Sequence, residues 1–146
     1  MAKKQLTLRL VTPERVVQES SGVDFVVLPA YAGEMGILPG HAPFFVQLQE
    51  GSLRTHRGED VNVLAISGGF VEIHGDVVSV FAETAEMAEE IDAERARQAL
   101  EKAKAQMVSP NIDPLTLAQA EAAARRAAVR LKVAELRRTT HSSSRS

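Results

Sequence analysis

Over residues 5–84 apolar and polar positions alternate in short runs. Leu6, Leu8 and Leu10 share one side and Gln5, Thr7 and Arg9 the other, the pattern of a strand with one buried face. Val23, Phe25 and Val27 repeat it after a break at Ser20-Ser21-Gly22. Further runs cover residues 44–48, 53–57, 61–66, 70–73 and 77–81. They are separated by Glu50-Gly51, Arg57-Gly58-Glu59, Ser67-Gly68-Gly69 and His74-Gly75-Asp76. Short strands spaced by glycine-containing turns, with no helical segment between them, predict an antiparallel β-sandwich or flattened barrel of about nine to ten strands over residues 1–87.

After Thr84 glycine disappears, alanine rises and the period changes from 2 to 3.6. Ala96, Leu100, Ala103 and Met107 fall on one helical face, with Asp92 placed to cap the free amides of the first turn. Ser109-Pro110-Asn111-Ile112 stops this helix, and Asp113-Pro114 starts another, with Asp as cap and Pro at the first position. The second helix is expected to reach about Arg138, roughly 37 Å at 1.5 Å per residue. A short link between two helices makes an antiparallel hairpin, placed at residues 88–138. Residues 139–146, polar and rich in Ser, read as a disordered tail.

At 100° per residue the second helix shows one apolar stripe of Leu115, Ala118, Ala122, Val129, Val133 and Leu136, and a smaller one of Leu117, Ala124, Ala128 and Leu131. The first helix can cover only one of them; the other needs the sandwich or another protein. Between the stripes runs a basic ridge, Arg126, Arg130 and Arg137, with Arg125 and Lys132 on the opposite flank. Such a ridge is either a solvated face or a surface for an anionic partner, and the two-sided apolar pattern favours the partner. Alanine side chains bury little area at roughly 25 cal/mol per Å², so the hairpin is held to its neighbours by only a few kcal/mol and can open.

Residues 33–43, Gly-Glu-Met-Gly-Ile-Leu-Pro-Gly-His-Ala-Pro, hold three glycines and two prolines and read as a shaped loop. Ile37 and Leu38 are expected to pack inward, while Glu34, Met35 and His41 are candidates for an outside partner.

The chain has 146 residues, 45% of them hydrophobic and only 4% aromatic, so the core must be built from Val, Leu, Ile and Ala. A net charge of -2 gives no global attraction to nucleic acid or anionic lipid. Absence of cysteine excludes disulfides and thiol chemistry. No secretory signal is read at the N-terminus, and no apolar run reaches the roughly 20 residues that span a bilayer, so membrane association is expected only through partners. The four histidines, His41, His56, His74 and His141, are scattered without metal-ligand spacing. Ser67 lacks the Gly-x-Ser-x-Gly elbow, and a phosphate-binding Gly-x-x-x-x-Gly-Lys-Ser/Thr loop is absent. No catalytic constellation and no required cofactor are expected.

Three motifs stand in order along the chain: the stretch 33–43, Ser67-Gly68-Gly69-Phe70-Val71-Glu72, and Ile91-Asp92-Ala93-Glu94-Arg95-Ala96. Together they resemble the epsilon subunit of the bacterial F-type ATP synthase, over about residues 6–136. The resemblance implies a non-catalytic central-stalk rotor subunit, peripheral on the cytoplasmic face of the bacterial inner membrane. Its sandwich would bind the gamma subunit and rest on the c-ring, with Glu34, Met35 and His41 in the facing loop. Its hairpin would inhibit ATP hydrolysis, extending the basic helix of Arg126, Arg130 and Arg137 toward the beta (and alpha) subunits. In several members a motif similar to residues 91–96 holds regulatory ATP. Here Ile91, Asp92, Arg95 and Ala96 match it, Lys102 stands where strong binders have Arg, and Arg125 or Arg126 would supply the second helix's contribution. A Lys gives a point charge rather than a bidentate fork, and Asp92 with Arg95 also suits a plain surface pair at i, i+3.

Two other classes fit parts of the pattern. A free-standing β-sandwich ligand-binding protein with a helical dimerisation arm predicts a stable homodimer and a concave site of convergent polar groups. A nucleic-acid binder using the Arg-rich helix needs more positive charge and more aromatic platforms than five Phe, one Tyr and no Trp supply.

Overall fold

A computed structural model describes residues 3–143, with side chains described as far as residue 136. It divides into two compact units, residues 1–87 and 88–146.

The first unit is built from eight strands: β1 (Leu6–Val11), β2 (Val16–Val23), β3 (Phe25–Ala30), β4 (Gly33–Ile37), β5 (Phe44–Gln47), β6 (Gly51–Arg57), β7 (Asp60–His74) and β8 (Val77–Met87). They pair in the order β2-β1-β8-β7-β6-β3-β4, with β5 attached to β7. All pairings are antiparallel except β1 with β8. One half of β7 pairs with β6 through Ile66, the other with β5 from Phe70, so this long strand serves both layers of a β-sandwich. Between the layers lies a core drawn from alternate positions, among them Leu8, Leu28, Leu53, Leu64, Val71 and Val80.

The strand count is eight among the described residues, below the nine to ten expected, because Ser67-Gly68-Gly69 is a bend inside β7 and not a break between strands. Gly68 and Gly69 have φ of +59° and +106°, and a Cβ on Gly69 would stand 2.0 Å from the Phe81 carbonyl oxygen. Only glycine lets β7 turn the corner this close to β8. Likewise Ser20-Ser21-Gly22 does not interrupt the chain: β2 runs through it, with Gly22 at φ +70° beside the register shift between Leu6 and Leu8. This shift, with the chain's turn at Asp24, changes the phase of the next strand. Val26 and Leu28 are buried there, where Phe25 and Val27 were expected.

Asp24, between β2 and β3, ties three segments together. Its carboxylate accepts from Lys3 Nζ at 2.9 Å, from the Gly58 N–H at 2.7 Å and from Gln5 Nε2 at 3.3 Å. The Lys3 bond first, then those from Gly58 and Gln5, hold its pKa down to about 2.

In the second unit a 3-10 turn, Ala88–Glu90, leads into α1 (Ala93–Met107) and α2 (Pro114–Ser143). Asp92 caps α1 by accepting the Arg95 N–H at 3.1 Å. Asp113 caps α2, accepting from the Thr116 N–H at 2.8 Å and Thr116 Oγ1 at 2.7 Å, bonds that also lower its pKa. Between them Asn111 takes a left-handed φ of 60°, and the helices return as a hairpin and pack on each other. The backbone of α2 is helical to Ser143, five residues beyond the expected boundary at Arg138, so the tail reading does not describe residues 139–143. Residues 144–146 lie outside the described residues.

Candidate functional site

Three regions carry the candidate residues, two on the sandwich and one on the hairpin. The first is the stretch 33–43. Its first half is not loop but the edge strand β4, hydrogen-bonded to β3 alone. Gly and edge position are compatible, because an edge strand needs only one partnered side. Glu34 is exposed there, and both its oxygens accept from Arg54 Nη2 at 3.2 Å. Met35 is half-buried against the sandwich core and Ile37 is fully buried. Leu38 reverses its expectation: it is 63% exposed, the first residue past the strand and outside its alternation. Residues 38–43 then form a true loop. The His41 N–H donates to the Leu38 carbonyl at 3.2 Å, its Nδ1 lies 2.7 Å from the Ala42 carbonyl, and its ring meets the edge of Phe44 at 6.0 Å. A carbonyl can only accept, so this contact assigns the ring proton to Nδ1.

The second region lies on the outer face of the other layer. In β5, β7 and β8 the inward phase is Val46, Val71 and Val80, and the outward phase carries Phe45, Phe70 and Phe81. Phe70 stands between the other two, with centroid distances of 5.1 Å to Phe45 and 5.0 Å to Phe81. Register continues the row: Phe81 pairs with Val11 of β1, and Val11 with Val16 of β2. The result is an apolar row across five strands. Phe45 is 64% exposed, Phe70 39% and Phe81 38%. Beside the row a depression of about 420 Å³ is lined by Val11, Thr12, Pro13, Gly69, Phe70, Phe81, Ala82 and Glu83. Aromatic side chains on the outward phase of a sheet are poorly placed for water and well placed for another protein. Sequence reasoning missed this row. The signal available was the phase of Phe70 and Phe81, opposite to Val71 and Val80 and shared with the polar Glu72 and Ser79.

The third region is the hairpin. Ile91 and Ala96 are buried, so neither offers more than backbone to a ligand. Asp92, Arg95, Lys102, Arg125 and Arg126 are exposed, and one Asp92 oxygen is occupied by its capping bond. Arg130 is half-buried, and Arg125 and Arg130 are both engaged by other groups. The side chain of Arg137 lies outside the described residues.

The apolar stripes of α2 need correction. Leu115 is 69% exposed and Ala118 is exposed, so the larger stripe is not continuous. The buried positions are Ala120, Ala127, Val133 and Ala134. Ala120, Ala127 and Ala134, with half-buried Leu117, Ala124 and Leu131, form a line spaced alternately by three and four, a heptad seam, and Val133 lies beside it. On α1, Ala96 and Ala103 are buried and Leu100 and Met107 half-buried, with the same spacing.

Among the described residues no group of three or more His, Asp or Glu is placed to hold a metal. No helix there is long and apolar enough to cross a membrane.

A β-sandwich followed by an alanine-seamed helical hairpin defines a recognisable class, and comparison identifies it. Residues 5–88 match the ATP synthase Delta/Epsilon chain β-sandwich domain, and residues 89–135 the Delta/Epsilon chain long α-helix domain. The ATP synthase epsilon chain of Dehalococcoides mccartyi is 49% identical over 138 residues, covering 94% of this chain and 96% of that one. The epsilon chain of Desulforamulus reducens is 44% identical over 135 residues, 92% of this chain and 100% of the relative. A chain in the cryo-EM structure of the Euglena gracilis mitochondrial ATP synthase, containing OSCP, F1 and c-ring, superimposes with a TM-score of 0.76 at 31% identity, over 86% of this chain and 78% of that one. The chain belongs to the Delta/Epsilon chain family of ATP synthase, among its epsilon chains.

Proposed function

We propose that this chain is the non-catalytic rotor subunit that joins the gamma subunit to the c-ring and restrains ATP hydrolysis through its C-terminal hairpin. The observation that carries the reading is the exposed row of Phe45, Phe70 and Phe81. An apolar face of this kind is covered in an assembly, and we assign it to gamma. The β4 edge and the loop of residues 38–43, with Glu34, Met35 and His41, face the c-ring. The protein is then peripheral at the cytoplasmic side of the membrane, held there by its partners. Family membership supports this placement over a free-standing ligand-binding sandwich.

The inhibitory part rests on the hairpin's packing. Alanine contacts at Ala96, Ala103, Ala120 and Ala127 bury small areas and the larger seam residues Leu100, Met107, Leu117 and Leu131 are only half-buried, so the helices are held together less tightly than by a leucine seam. The parted α2 would carry Arg126, Arg130 and Arg137 toward acidic segments of the beta and alpha subunits. Deleting residues from Ser109 onward is expected to leave assembly with gamma intact and to raise ATP hydrolysis by the complex. Unchanged hydrolysis removes the brake, and loss of gamma from the purified complex removes the placement of the sandwich.

A further inference from the structure

The loop of residues 38–43 crosses from β4 in one layer to β5 in the other, and it contains Pro39, Pro43 and Gly40 at φ +84°. No ladder runs along it, so its pose depends on individual contacts. The bond that ties it to the sandwich is made by Gly40, whose N–H donates to Asp76 Oδ1 at 2.7 Å, 36 residues away in sequence.

Asp76 is itself firmly held. It closes the two-residue turn between β7 and β8, flanked by the His74–Val77 pair, with Gly75 and Asp76 at φ of +57° and +62°. Its carbonyl accepts the Thr7 N–H at 2.9 Å, which fixes the turn to the start of β1. A turn of this type is satisfied by Asn or Gly as well as Asp, so the turn alone does not call for a carboxylate. The carboxylate has a separate task, and a charged acceptor on a backbone N–H is among the stronger hydrogen bonds a surface can make.

We propose that Asp76 is a positioning residue for partner docking: its carboxylate clamps Gly40 and so presents the loop bearing His41 already ordered to the ring. The proposal rests on the reading that this loop faces the c-ring. A loop fixed before contact loses less entropy on binding, and this raises affinity without any new contact to the partner.

Two full-length variants separate the clamp from the turn. Asp76→Gly keeps the left-handed backbone and removes the acceptor; Asp76→Asn keeps both the backbone preference and an oxygen acceptor. Because glycine adopts φ +62° without strain, Asp76→Gly should keep a single cooperative unfolding transition in denaturant, with a midpoint near native, relief of backbone strain offsetting the lost bond and the freer unfolded chain. Amide hydrogen exchange of Gly40, followed by NMR, should quicken roughly tenfold in Asp76→Gly and stay within about threefold of native in Asp76→Asn. Affinity for a purified rotor of gamma subunit and c-ring should fall about fivefold to tenfold in Asp76→Gly and be restored to within about twofold in Asp76→Asn. Unchanged Gly40 exchange in Asp76→Gly overturns the clamp. Faster exchange with unaltered affinity, or an Asn variant that binds as weakly as the Gly variant, overturns the positioning role. If the native chain binds gamma alone as tightly as gamma with the ring, the placement of the loop fails instead, and the exchange measurement still judges the clamp.

Discussion

Replacing Phe45 by Ala should separate binding from folding more cleanly than any other change in the aromatic row. Phe45 is 64% exposed. With about 200 Å² for a phenylalanine, about 130 Å² remains for a partner to cover. At roughly 25 cal/mol per Å² this corresponds to an upper limit of about 3 kcal/mol of binding, or about 150-fold in affinity. Costs of association reduce that, so a loss of about tenfold or more is expected for gamma. In the free protein the same change removes the 5.1 Å contact with Phe70, about 0.5–1.5 kcal/mol beyond a small buried area. Phe81→Ala should show the opposite balance. At 38% exposure it leaves only about 80 Å² for the partner, while more of its ring is already packed. The assay is calorimetric titration of gamma with each full-length variant, beside urea unfolding of the same samples. Affinities for gamma within about threefold of native for Phe45→Ala, with the fold intact, would refute the assignment of this face.

Gly69→Ala should cost more than about 3 kcal/mol in urea unfolding, because the added Cβ meets the Phe81 carbonyl at 2.0 Å with φ at +106°; a midpoint near native would show that β7 does not need this bend. Acid unfolding should register Asp24, whose folded pKa of about 2 lies below its usual 3.8. The stabilisation from a depressed carboxylate is complete above the unfolded value and is lost as pH falls through the folded one. Asp24→Asn should therefore flatten the pH dependence of stability between about 4 and 2, and an identical slope in both proteins would contradict the hub. Regulatory ATP binding, which the resemblance of residues 91–96 to the family's motif implies and which we propose for this hairpin, should appear in equilibrium dialysis at millimolar ATP and be lost in Arg95→Ala. No retention of ATP by the native chain ends that proposal.

Much of the architecture is written in period. Leu6, Leu8 and Leu10 are all buried, and Asp92 and Asp113 cap the helices their positions suggest. Capping is legible because it depends on a few consecutive residues. Glycine clusters were less so: the same residue that ends a strand can bend one, and whether Ser67-Gly68-Gly69 does either is decided by β8 alongside. Strand β4 was hidden because its identity comes from pairing with β3, not from its own composition. The face of α2 failed for another reason. Alanine occurs on every side of this helix, so a wheel weights Leu115 heavily and passes over Ala120, Ala127 and Ala134. The aromatic row needed register across three strands, which no single run of sequence contains.

If the hairpin opens as proposed, the make-up of its seam decides what the parted helices expose. The methyl groups of Ala96, Ala103, Ala120, Ala127 and Ala134 would uncover little apolar area, leaving Leu100, Met107, Leu117 and Leu131 as the larger side chains newly exposed. A released α2 would then show Leu117, Leu131 and Val133 diluted among alanines instead of one continuous leucine face, and that dilution would limit clumping while it searches for another surface.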